Sequence, residues 1–468
     1  MEQRAAIPPG LPKANPTVSY WQDPPASLAA HRTTPALPTA VSVVIIGSGI
    51  TGCSIAYNLL SKPSPPSVLM LEARTACSGA TGRNGGHTKC ASYRSFLSNM
   101  RSMGEEEAAK IVRYEYACMK AVHSFAREHN IQCDSWEGDT VDVIYDEAEL
   151  IEMKEAVREL QRVLDKTDPA SVHYFWNPEE AARKFLSPGP LGAVSYEAGS
   201  LSAYKFVIGM LELAIAKGLK LQTETPALSI RRDGSGWTVE TPRGVVNTEK
   251  VVLATNGYTA HLYPAVQGII VPLRGHVTAQ RPGSAMPGEG LPTTYTFTYA
   301  NAYEYMIPRP QGSTFAGDIV IGGGSTQADE EGLYEFGTTD DTTTDPEIVS
   351  YLHDSTQRYF GSNWGSDHPD GRIRKAWSGI MGFSADGFPL VGPVPDEEGL
   401  FIAASFQGHG MVLSLLAARA LTAMMSGDDG DELDRWFPKA FRMTKERLKA
   451  RFQGRLHTTT PKGLELKA

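Results

Sequence analysis

Three glycines and one acidic residue stand at the spacing of a turn that binds phosphate and ribose. The turn reads Gly47-Ser48-Gly49-Ile50-Thr51-Gly52, and Glu72 follows twenty residues after the last glycine. The first glycine permits a tight turn, the second lets a pyrophosphate approach a helix N-terminus, and the third lets the helix lie close to the strand. Glu72 can accept hydrogen bonds from a ribose diol. These residues predict dinucleotide binding, and by themselves they leave both nicotinamide and flavin open.

The segments around this turn carry the hydrophobic pattern of a strand, a helix and a second strand. Residues 43–46 form an apolar run typical of a strand buried on both faces, and residues 68–71 form another. Between them Cys53, Ala56 and Leu60 recur at helical spacing. We therefore predict an α/β fold (α+β overall), with a Rossmann-type dinucleotide-binding domain and a second, substrate domain built on an antiparallel sheet.

Composition limits the partners of the chain. It has 468 residues, enough for two or three domain-sized units, and a formal net charge of −9. Since phosphate binding needs a basic face, we expect no nucleic-acid partner. Five cysteines without a CxxC spacing predict no disulfide framework and no metal site. We find no signal-peptide pattern and no apolar run of membrane-spanning length, so we expect a cytoplasmic protein without a membrane partner.

The pattern along the chain changes from an N-terminal arm to helical segments, strand segments and a second strand-turn-helix unit. Residues 1–38 are rich in Pro, Ala and Thr and predict an arm on the main body. Helical patterns cover residues 105–129, 147–166 and 181–186, and strand composition with intervening Pro and Gly covers 269–281, 293–309 and 317–326. A second unit of strand, glycine turn and helix, like the one that begins at residue 43, is predicted from a strand at 400–404 and a helix at 411–425. The predicted domains are a discontinuous cofactor domain (39–100, 187–262 and 366–430), a substrate domain (101–186 and 263–365), and a C-terminal tail (431–468).

Five motifs in this order resemble the FAD-dependent amine and amino-acid oxidoreductases of the D-amino-acid-oxidase-like superfamily, among them glycine oxidase, sarcosine oxidase and γ-glutamylputrescine-oxidase-like proteins. The motifs are Gly47–Gly52, Ser78-Gly79-Ala80-Thr81-Gly82-Arg83-Asn84-Gly85-Gly86-His87, Ala254-Thr255-Asn256-Gly257-Tyr258, Trp377-Ser378-Gly379 with Asp386-Gly387-Phe388-Pro389, and Gly408-His409-Gly410. The resemblance implies that the second motif passes along the flavin and that the last turn directs a helix N-terminus toward it.

The resemblance also implies a set of cofactor-binding residues drawn from these motifs. They are Gly47, Gly49, Ile50, Thr51, Gly52, Glu72, Ala73, Arg74, Ala80, Thr81, Arg83, Asn84, Gly85, Gly86, His87, Thr255, Asn256, Gly379, Gly408, His409, Gly410 and Met411. Sarcosine-oxidase relatives attach flavin through a late Cys, but this chain has no Cys after Cys133. We therefore expect non-covalent FAD, with His87 or Cys90 as the alternative points of attachment.

Candidates for the substrate side come from the later segments. Tyr303, Tyr305, Trp377 and His409 are the candidate catalytic or substrate-facing residues. Strand alternation puts both tyrosines on one face and Glu304 on the other. Arg274 or Arg309 could clamp a substrate carboxylate, because a guanidinium binds carboxylate through two hydrogen bonds, or either could be an ordinary ion-pair residue.

The function that the resemblance implies is oxidation of a C–N bond in a small amine or amino acid. A hydride passes to FAD, the imine is hydrolysed, and O2 reoxidises the flavin to give hydrogen peroxide. Sarcosine oxidases carry a Lys over the flavin, but the matching residues 318–324 contain none. A dehydrogenase with another electron acceptor and a flavin-binding protein without turnover are therefore the alternatives.

Overall fold

The computed structural model describes residues 1–299 and 302–454. These residues form seventeen β-strands: β1 (Ala40–Ile46), β2 (Val68–Leu71), β3 (His87–Lys89), β4 (Trp136–Ile144), β5 (Tyr174–Trp176), β6 (Gly192–Ser200), β7 (Lys220–Gln222), β8 (Ser229–Asp233), β9 (Gly236–Thr241), β10 (Gly244–Leu253), β11 (Ile270–Gln280), β12 (Thr294–Tyr299), β13 (Ala302–Pro308), β14 (Ile319–Gly322), β15 (Ile373–Ser384), β16 (Leu390–Pro393) and β17 (Leu400–Ala404).

The same residues form twelve α-helices, several of them a single turn long. They are α1 (Glu2–Ala5), α2 (Ile50–Leu60), α3 (Phe96–Met103), α4 (Glu105–Glu128), α5 (Glu147–Leu164), α6 (Pro178–Lys184), α7 (Ala203–Ala216), α8 (Thr259–Leu262), α9 (Asp329–Gly332), α10 (Pro346–Phe360), α11 (Ser414–Met424) and α12 (Asp431–Trp436). None of the helices in the described ranges is long and apolar enough to cross a lipid bilayer.

The first sheet has the order β16-β17-β10-β1-β2-β7, with β9 beside β10 and β8 beside β9. The strands β17, β10, β1, β2 and β7 run parallel. The central strand β1 is buried on both faces. Val43 and Ile45 pack against the helices on one face, and Val44 and Ile46 belong to the apolar cluster on the other face, which includes residues of β9. Helix α2 packs between α7 and α11 on the first of these faces. The apolar run at 250–254 predicts a buried parallel strand that returns the chain to this sheet, and the parallel pairing of β10 with β1 and β17 confirms it.

The second sheet has the order β15-β11-β14-β13-β12-β4-β6-β3, and β5 pairs with β6. Its strand pairs are antiparallel except for β4 and β12, which run parallel. The second sheet is therefore antiparallel, as the sequence predicts, except at the parallel pair of β4 and β12. Helix α10 covers one face, where Phe297, Phe360 and Trp364 belong to one apolar cluster.

The two sheets do not follow the predicted sequence boundaries. Strands β3, β6 and β15 lie in segments that the sequence assigned to the cofactor domain, yet all three belong to the second sheet. Strand β15 pairs with β11 along almost all of both strands. Each of the three predicted cofactor segments therefore contributes strands to both sheets. Of the predicted tail, residues 455–468 lie outside the described part of the chain.

Two helix boundaries also differ from the sequence pattern. The helix expected at 411–425 begins only at Ser414, because Gly410–Val412 forms a 3-10 turn first. Asn177-Pro178-Glu179-Glu180 is a helix start signal ahead of the pattern at 181–186, and the helix does begin there, at Pro178, with a reciprocal capping box between the Asn177 side chain and Glu180. The helix ends at Lys184, two residues before the pattern does.

The N-terminal arm lies on the main body, as expected. Its Tyr20 and Trp21 are buried, and Tyr20 stacks on Trp377 of β15 with the ring centroids 6.2 Å apart. Ser19 Oγ donates a hydrogen bond to the Gly82 carbonyl oxygen, and the Trp21 indole donates to that of Asn84. The arm therefore runs alongside the glycine-rich segment 78–87.

Candidate functional site

One large cavity, of about 1060 Å³, opens between the two sheets. One part of its wall comes from the carboxyl ends of β1, β2 and β10 and from the turns that follow them, where ligands of open α/β sheets bind. The rest comes from β3, β11, β12, β13 and β15 of the second sheet and from helices α3 and α4. A dinucleotide site and a second, polar compartment thus share a single space.

The glycine turn after β1 has the close contacts that its spacing predicted. Gly47 has φ +107°, and a Cβ there would lie 2.5 Å from the Ala254 carbonyl oxygen. A Cβ on Gly52 would overlap the Gly47 carbonyl oxygen. Gly49 is the N-cap of α2 and offers no side chain to cap the helix. The helix N-terminus therefore faces the cavity in the way that a pyrophosphate requires.

Glu72 is buried and held in one orientation at the end of β2. One carboxylate oxygen accepts hydrogen bonds from the Ser48 backbone N–H (3.1 Å) and hydroxyl (2.6 Å), and the other accepts from the Arg74 N–H at 3.0 Å. The side chain lines the cavity beside Ala73. This carboxylate is placed to accept from a ribose diol, so the clamp residues fit an adenosine diphosphate group.

The segment after Gly79 follows the cavity wall. Ala80, Thr81, Asn84, Gly85 and Gly86 line the cavity. The Thr81 hydroxyl accepts a hydrogen bond from the Ile50 N–H at 3.1 Å and so joins this segment to the first turn of α2.

Gly85 lets a side chain of the second sheet approach this segment. A Cβ added at Gly85 would overlap the Tyr305 ring. Tyr305 also lies against Gly322 of β14, where a Cβ would overlap its hydroxyl end. The glycine therefore makes room for Tyr305, which lines the cavity beside it.

Arg74 and Arg83, the basic residues of this region, mainly connect neighbouring segments of the chain through hydrogen bonds and ion pairs. The Arg83 guanidinium donates to the Ser378 carbonyl oxygen at 2.7 Å and to Thr17 of the arm. Asp341, which is fully buried, pairs with Arg74 at 2.9 Å and with Arg83 at 3.6 Å. Both arginines also line the cavity. Their charges are thus balanced within the protein, and they hold the arm and β15 against segment 78–87.

The distal glycine turn is braced by the motif at 254–258. The Asn256 side-chain oxygen accepts hydrogen bonds from the N–H groups of Ser405 (2.9 Å) and Phe406 (3.3 Å). Thr255, Asn256, Gly408, His409, Gly410, Met411 and Gly379 all line the cavity. Segments far apart in sequence therefore meet around one space.

A row of threonines on β12 receives three basic side chains from β3 and the loop after it. We call this row the threonine ladder, Thr294, Thr296 and Thr298, which share one face of the strand. The pairs are His87 with Thr294 (2.8 Å), Lys89 with Thr296, and Arg94 with Thr298. All three basic residues line the cavity. The ladder therefore presents a cationic wall to the compartment beside the dinucleotide site.

Asp142 of β4 holds this wall together. It lies opposite Thr296 in the β4–β12 register, accepts a hydrogen bond from Lys89, and lies 3.6 Å from Arg94 Nε. Burial alone would raise the pKa of Asp142, but the two cations lower it to about 2. Burial lowers the pKa of Lys89 to about 8 against the attraction of Asp142. At neutral pH the group is ionised, with two positive charges and one negative.

The Arg94 side chain is not saturated by these contacts. Its Nε makes no hydrogen bond within the described part of the chain. Its guanidinium carbon lies 5.7 Å from the centroid of the Tyr303 ring, which also lines the cavity. Burial also keeps His87 uncharged, because it places the pKa of this imidazole well below the usual value.

Some predicted site residues lie elsewhere. Trp377 is fully buried in the core, where its indole donates to the Arg83 carbonyl oxygen at 2.7 Å, and it is not part of the cavity wall. Gly52 likewise contributes close packing rather than wall surface. The prediction of a substrate-facing Trp377 is therefore corrected: stacking on Tyr20 turns the ring into the core.

Neither arginine proposed as a carboxylate clamp is available for that role. Arg274 lines the cavity, but Glu335 binds its Nε at 2.6 Å and its Nη2 at 2.8 Å. Arg309 pairs with Asp134 at 2.7 Å and lies outside the wall. The ion-pair interpretation fits both residues. Tyr303, Tyr305 and His409 do line the cavity.

Sequence reasoning missed Lys89, Arg94 and Asp142. A signal was present: His87 and Lys89 alternate directly after the glycine-rich segment, and residues 294–298 alternate Thr with aromatic residues. What the sequence could not show is that β3, β4 and β12 lie together in one sheet.

A dinucleotide clamp that shares its cavity with a polar compartment is typical of a dinucleotide-dependent oxidoreductase. Residues 42–424 match the family model described as DAO, FAD dependent oxidoreductase. The chain belongs to this family of FAD-dependent oxidoreductases, and FAD is its cofactor. The predictions of the fold class, the enzyme class and the cofactor are confirmed.

Relatives of the chain agree with this assignment. It is 22% identical over 424 residues to the probable oxidoreductase OrdL of Rhizobium meliloti, with 90% of each chain covered. Glycine oxidase from Geobacillus kaustophilus superposes with a TM-score of 0.69 at 21% identity, covering 87% of this chain and 99% of that one. L-amino acid deaminase from Proteus vulgaris gives a TM-score of 0.66 at 17% identity, covering 89% and 96%. At these identities the two structures show a shared fold.

Proposed function

We propose that the protein oxidises a C–N bond in a small amine or amino acid, with hydrolysis of the resulting imine and reoxidation by O2 to give hydrogen peroxide. The observation that carries this proposal is the threonine ladder with its basic side chains, which faces the same cavity as the dinucleotide clamp. The similarity to glycine oxidase and L-amino acid deaminase supports the same class of substrate.

The clamp residues would hold the adenosine end of FAD, and the segments at 80–87 and 408–411 would hold the flavin end. When bound, FAD accepts the hydride from the carbon next to the substrate nitrogen. We propose non-covalent binding. Cys90 lies outside the cavity wall, burial raises the pKa of its thiol, and His87 Nε2 is already 2.8 Å from the Thr294 hydroxyl.

The residues of the second sheet would orient the substrate. Tyr303 and Tyr305 provide aromatic faces, and His409 adds a polar group from the distal turn. We propose Arg94 as the contact for a substrate carboxylate, because it lines the cavity and because the two positive charges of Arg94 and Lys89 face the single negative charge of Asp142. Water then adds to the C=N bond of the released imine and gives a carbonyl compound and ammonia or an amine.

Electron transfer to O2 is a separate part of the proposal. The segment 318–324 has no Lys, but Lys89 brings a buried cation to the cavity wall from a different strand. A fixed positive charge favours the anionic products of oxygen reduction. A dehydrogenase with another acceptor is the alternative.

An aerobic peroxide assay tests this proposal. The panel contains primary amines, N-methyl amino acids, D-amino acids, L-amino acids and polyamines, each with and without an artificial electron-accepting dye. We expect peroxide in amounts equal to the substrate consumed. If substrate is consumed only when the dye is present, the protein is a dehydrogenase and not an oxidase. If no compound is consumed with O2 or with the dye, a flavin-binding protein without catalysis is favoured.

We also propose a cytoplasmic location. All five cysteines are free, and four of them are fully buried among apolar side chains, which fits a reducing compartment. Localisation of a fluorescently tagged chain in its own host would test this placement.

A further inference from the structure

The cavity extends beyond the threonine ladder to a wall made by helices. Its polar residues there come from the loop before α3, from α3 itself, from α4 and from the first turn of α5: Ser95, Ser98, Asn99, Ser102, Glu115 and Glu149. None of these residues has a part in the proposed oxidation. The wall is therefore a place where a second portion of the substrate could bind.

Glu115 differs from the buried carboxylates that are paired with cations. The buried Glu304 also lacks a cation, but it accepts hydrogen bonds from the hydroxyls of Tyr299, Tyr351 and Tyr359. Asp142 has two cationic partners, Asp341 has two, and Glu335 is bound by Arg274. Glu115 is only 7% exposed, yet no Lys, Arg or His nitrogen within the described ranges lies within 4 Å of its carboxylate. It is a buried acidic group on the cavity wall without a counter-charge.

The immediate surroundings of Glu115 orient it without neutralising it. One carboxylate oxygen accepts a hydrogen bond from the Ser92 N–H at 3.1 Å. The titratable groups that face it are the Cys90 and Cys118 thiols and the adjacent Tyr114 hydroxyl, and burial raises the pKa of each. All three are uncharged at neutral pH. Burial likewise raises the pKa of Glu115, to about 7.

A buried carboxylate without a partner is costly, and a cationic ligand removes much of that cost. A primary ammonium group has three donors and fits a carboxylate that is already fixed on one side by a backbone N–H. The cavity provides the access that a ligand needs.

We propose that Glu115 binds a second, non-reacting ammonium group of the substrate, so that the preferred substrates are amines or amino acids that carry an additional amino group. As a statement about substrate preference, this inference rests on the proposed C–N oxidation. The binding of the ammonium group can still be tested without that oxidation, because binding is measured separately from turnover.

The kinetic test compares matched compounds that differ only in the second amino group. Diaminopentane is compared with pentylamine, and lysine with norleucine in both enantiomers. In the wild type we expect kcat/KM to favour the diamino member of at least one pair by about tenfold. Glu115→Gln, which keeps an acceptor for Ser92, should bring that ratio close to one through KM. Glu106→Gln, an exposed change of the same charge on the same helix, should leave the ratio unchanged.

Calorimetry on the wild-type holoenzyme tests binding directly. Each compound is titrated anaerobically at pH 7 in buffers of different ionisation enthalpy. An ammonium that pairs with Glu115 should release about half a proton more than the monoamine does, because a carboxyl with a pKa of about 7 is half protonated there. In Glu115→Gln this additional release should be absent.

The outcomes separate the two proposals. Extra proton release without reduction of the flavin by any compound would keep the ammonium site and overturn the proposed oxidation. Oxidation in which both members of every pair react equally, with no difference in proton release, would keep the oxidation and overturn the ammonium site. An unchanged diamine preference in Glu115→Gln would also overturn it.

Discussion

Asp142 is the residue on which the cationic wall depends. Replacing it by Asn leaves Lys89 and Arg94 buried without a counter-charge, and we expect a loss of about 3–5 kcal/mol in the free energy of unfolding. Urea denaturation at pH 7 measures this loss. Asp396→Asn, which breaks a pair of exposed side chains, is the control and should give no measurable change.

The pKa of Asp142 also predicts an acid limit. Its pKa is lowered in the folded state to about 2, below that of an unfolded Asp at about 3.9, so its stabilisation is present above pH 4 and is lost as the pH falls toward 2. Urea midpoints of the wild type and Asp142→Asn should therefore converge over this window. Parallel curves down to pH 2 would contradict the ion pair.

Glu115 predicts the opposite pH dependence. Its pKa is raised in the folded state to about 7, so the folded protein binds more protons than the unfolded chain between about pH 4.5 and 7, and the free energy of unfolding falls as the pH rises. Glu115→Gln should remove this penalty and stabilise the substrate-free protein at pH 8 by on the order of 2 kcal/mol. At pH 4 the variant should show no such gain. Thermal denaturation at both values checks the sign.

The glycine turn allows two mutations to be compared. In Gly49→Ala the added Cβ meets only the Thr81 side chain, at 3.0 Å, so the protein should fold but bind FAD at least about tenfold more weakly because the pyrophosphate is crowded. In Gly52→Ala the Cβ overlaps the Gly47 carbonyl oxygen, and we expect low yields of folded protein. Flavin absorbance per protein and circular dichroism separate the two effects. Full FAD occupancy in Gly49→Ala would contradict the clamp.

At the scale of elements, the N-terminal arm is the feature whose role sequence could not show. Ser19 bonds to the Gly82 carbonyl oxygen, and Thr17 accepts a hydrogen bond from Arg83, so the arm braces the segment beside the cofactor. The double variant Thr17→Val with Ser19→Ala should release FAD several-fold faster while keeping its secondary structure. Stopped-flow mixing with an excess of an apoprotein that binds FAD, followed by flavin fluorescence, measures the rate. Ser27→Ala, at an exposed position of the arm, serves as the control and should not change it.

The local elements were predictable where one physical cause dominates. The β1–α2–β2 unit follows from an apolar strand, a glycine turn and an acidic residue, and all three appear as expected. The threonine ladder was not predictable, because it needs β12 to pair with β4, whose partner residues lie 154 positions earlier in the chain. Trp377 was misplaced for the same reason: its burial depends on Tyr20 of the arm, which no local pattern connects to β15.

At the scale of the whole molecule, the cavity joins two sheets of different kinds. The parallel sheet supplies the cofactor clamp, and the second sheet supplies the ladder and the tyrosines. Segments from the start, middle and end of the chain line one space, so the cofactor site and the proposed substrate site share one cavity. The family assignment accounts for the clamp, and we propose that the residues of the second compartment select the substrate.

The central claim is that an amine bound in this cavity reduces FAD. Anaerobic mixing of the purified holoenzyme with the amine and amino-acid panel, followed at about 450 nm, tests it most directly. We expect at least one compound to bleach the flavin at a saturable rate, and Arg94→Met to raise the half-saturating concentration of substrates that carry a carboxylate. A flavin that stays oxidised with every amine and amino acid, yet is bleached by a reduced nicotinamide nucleotide, would contradict the account.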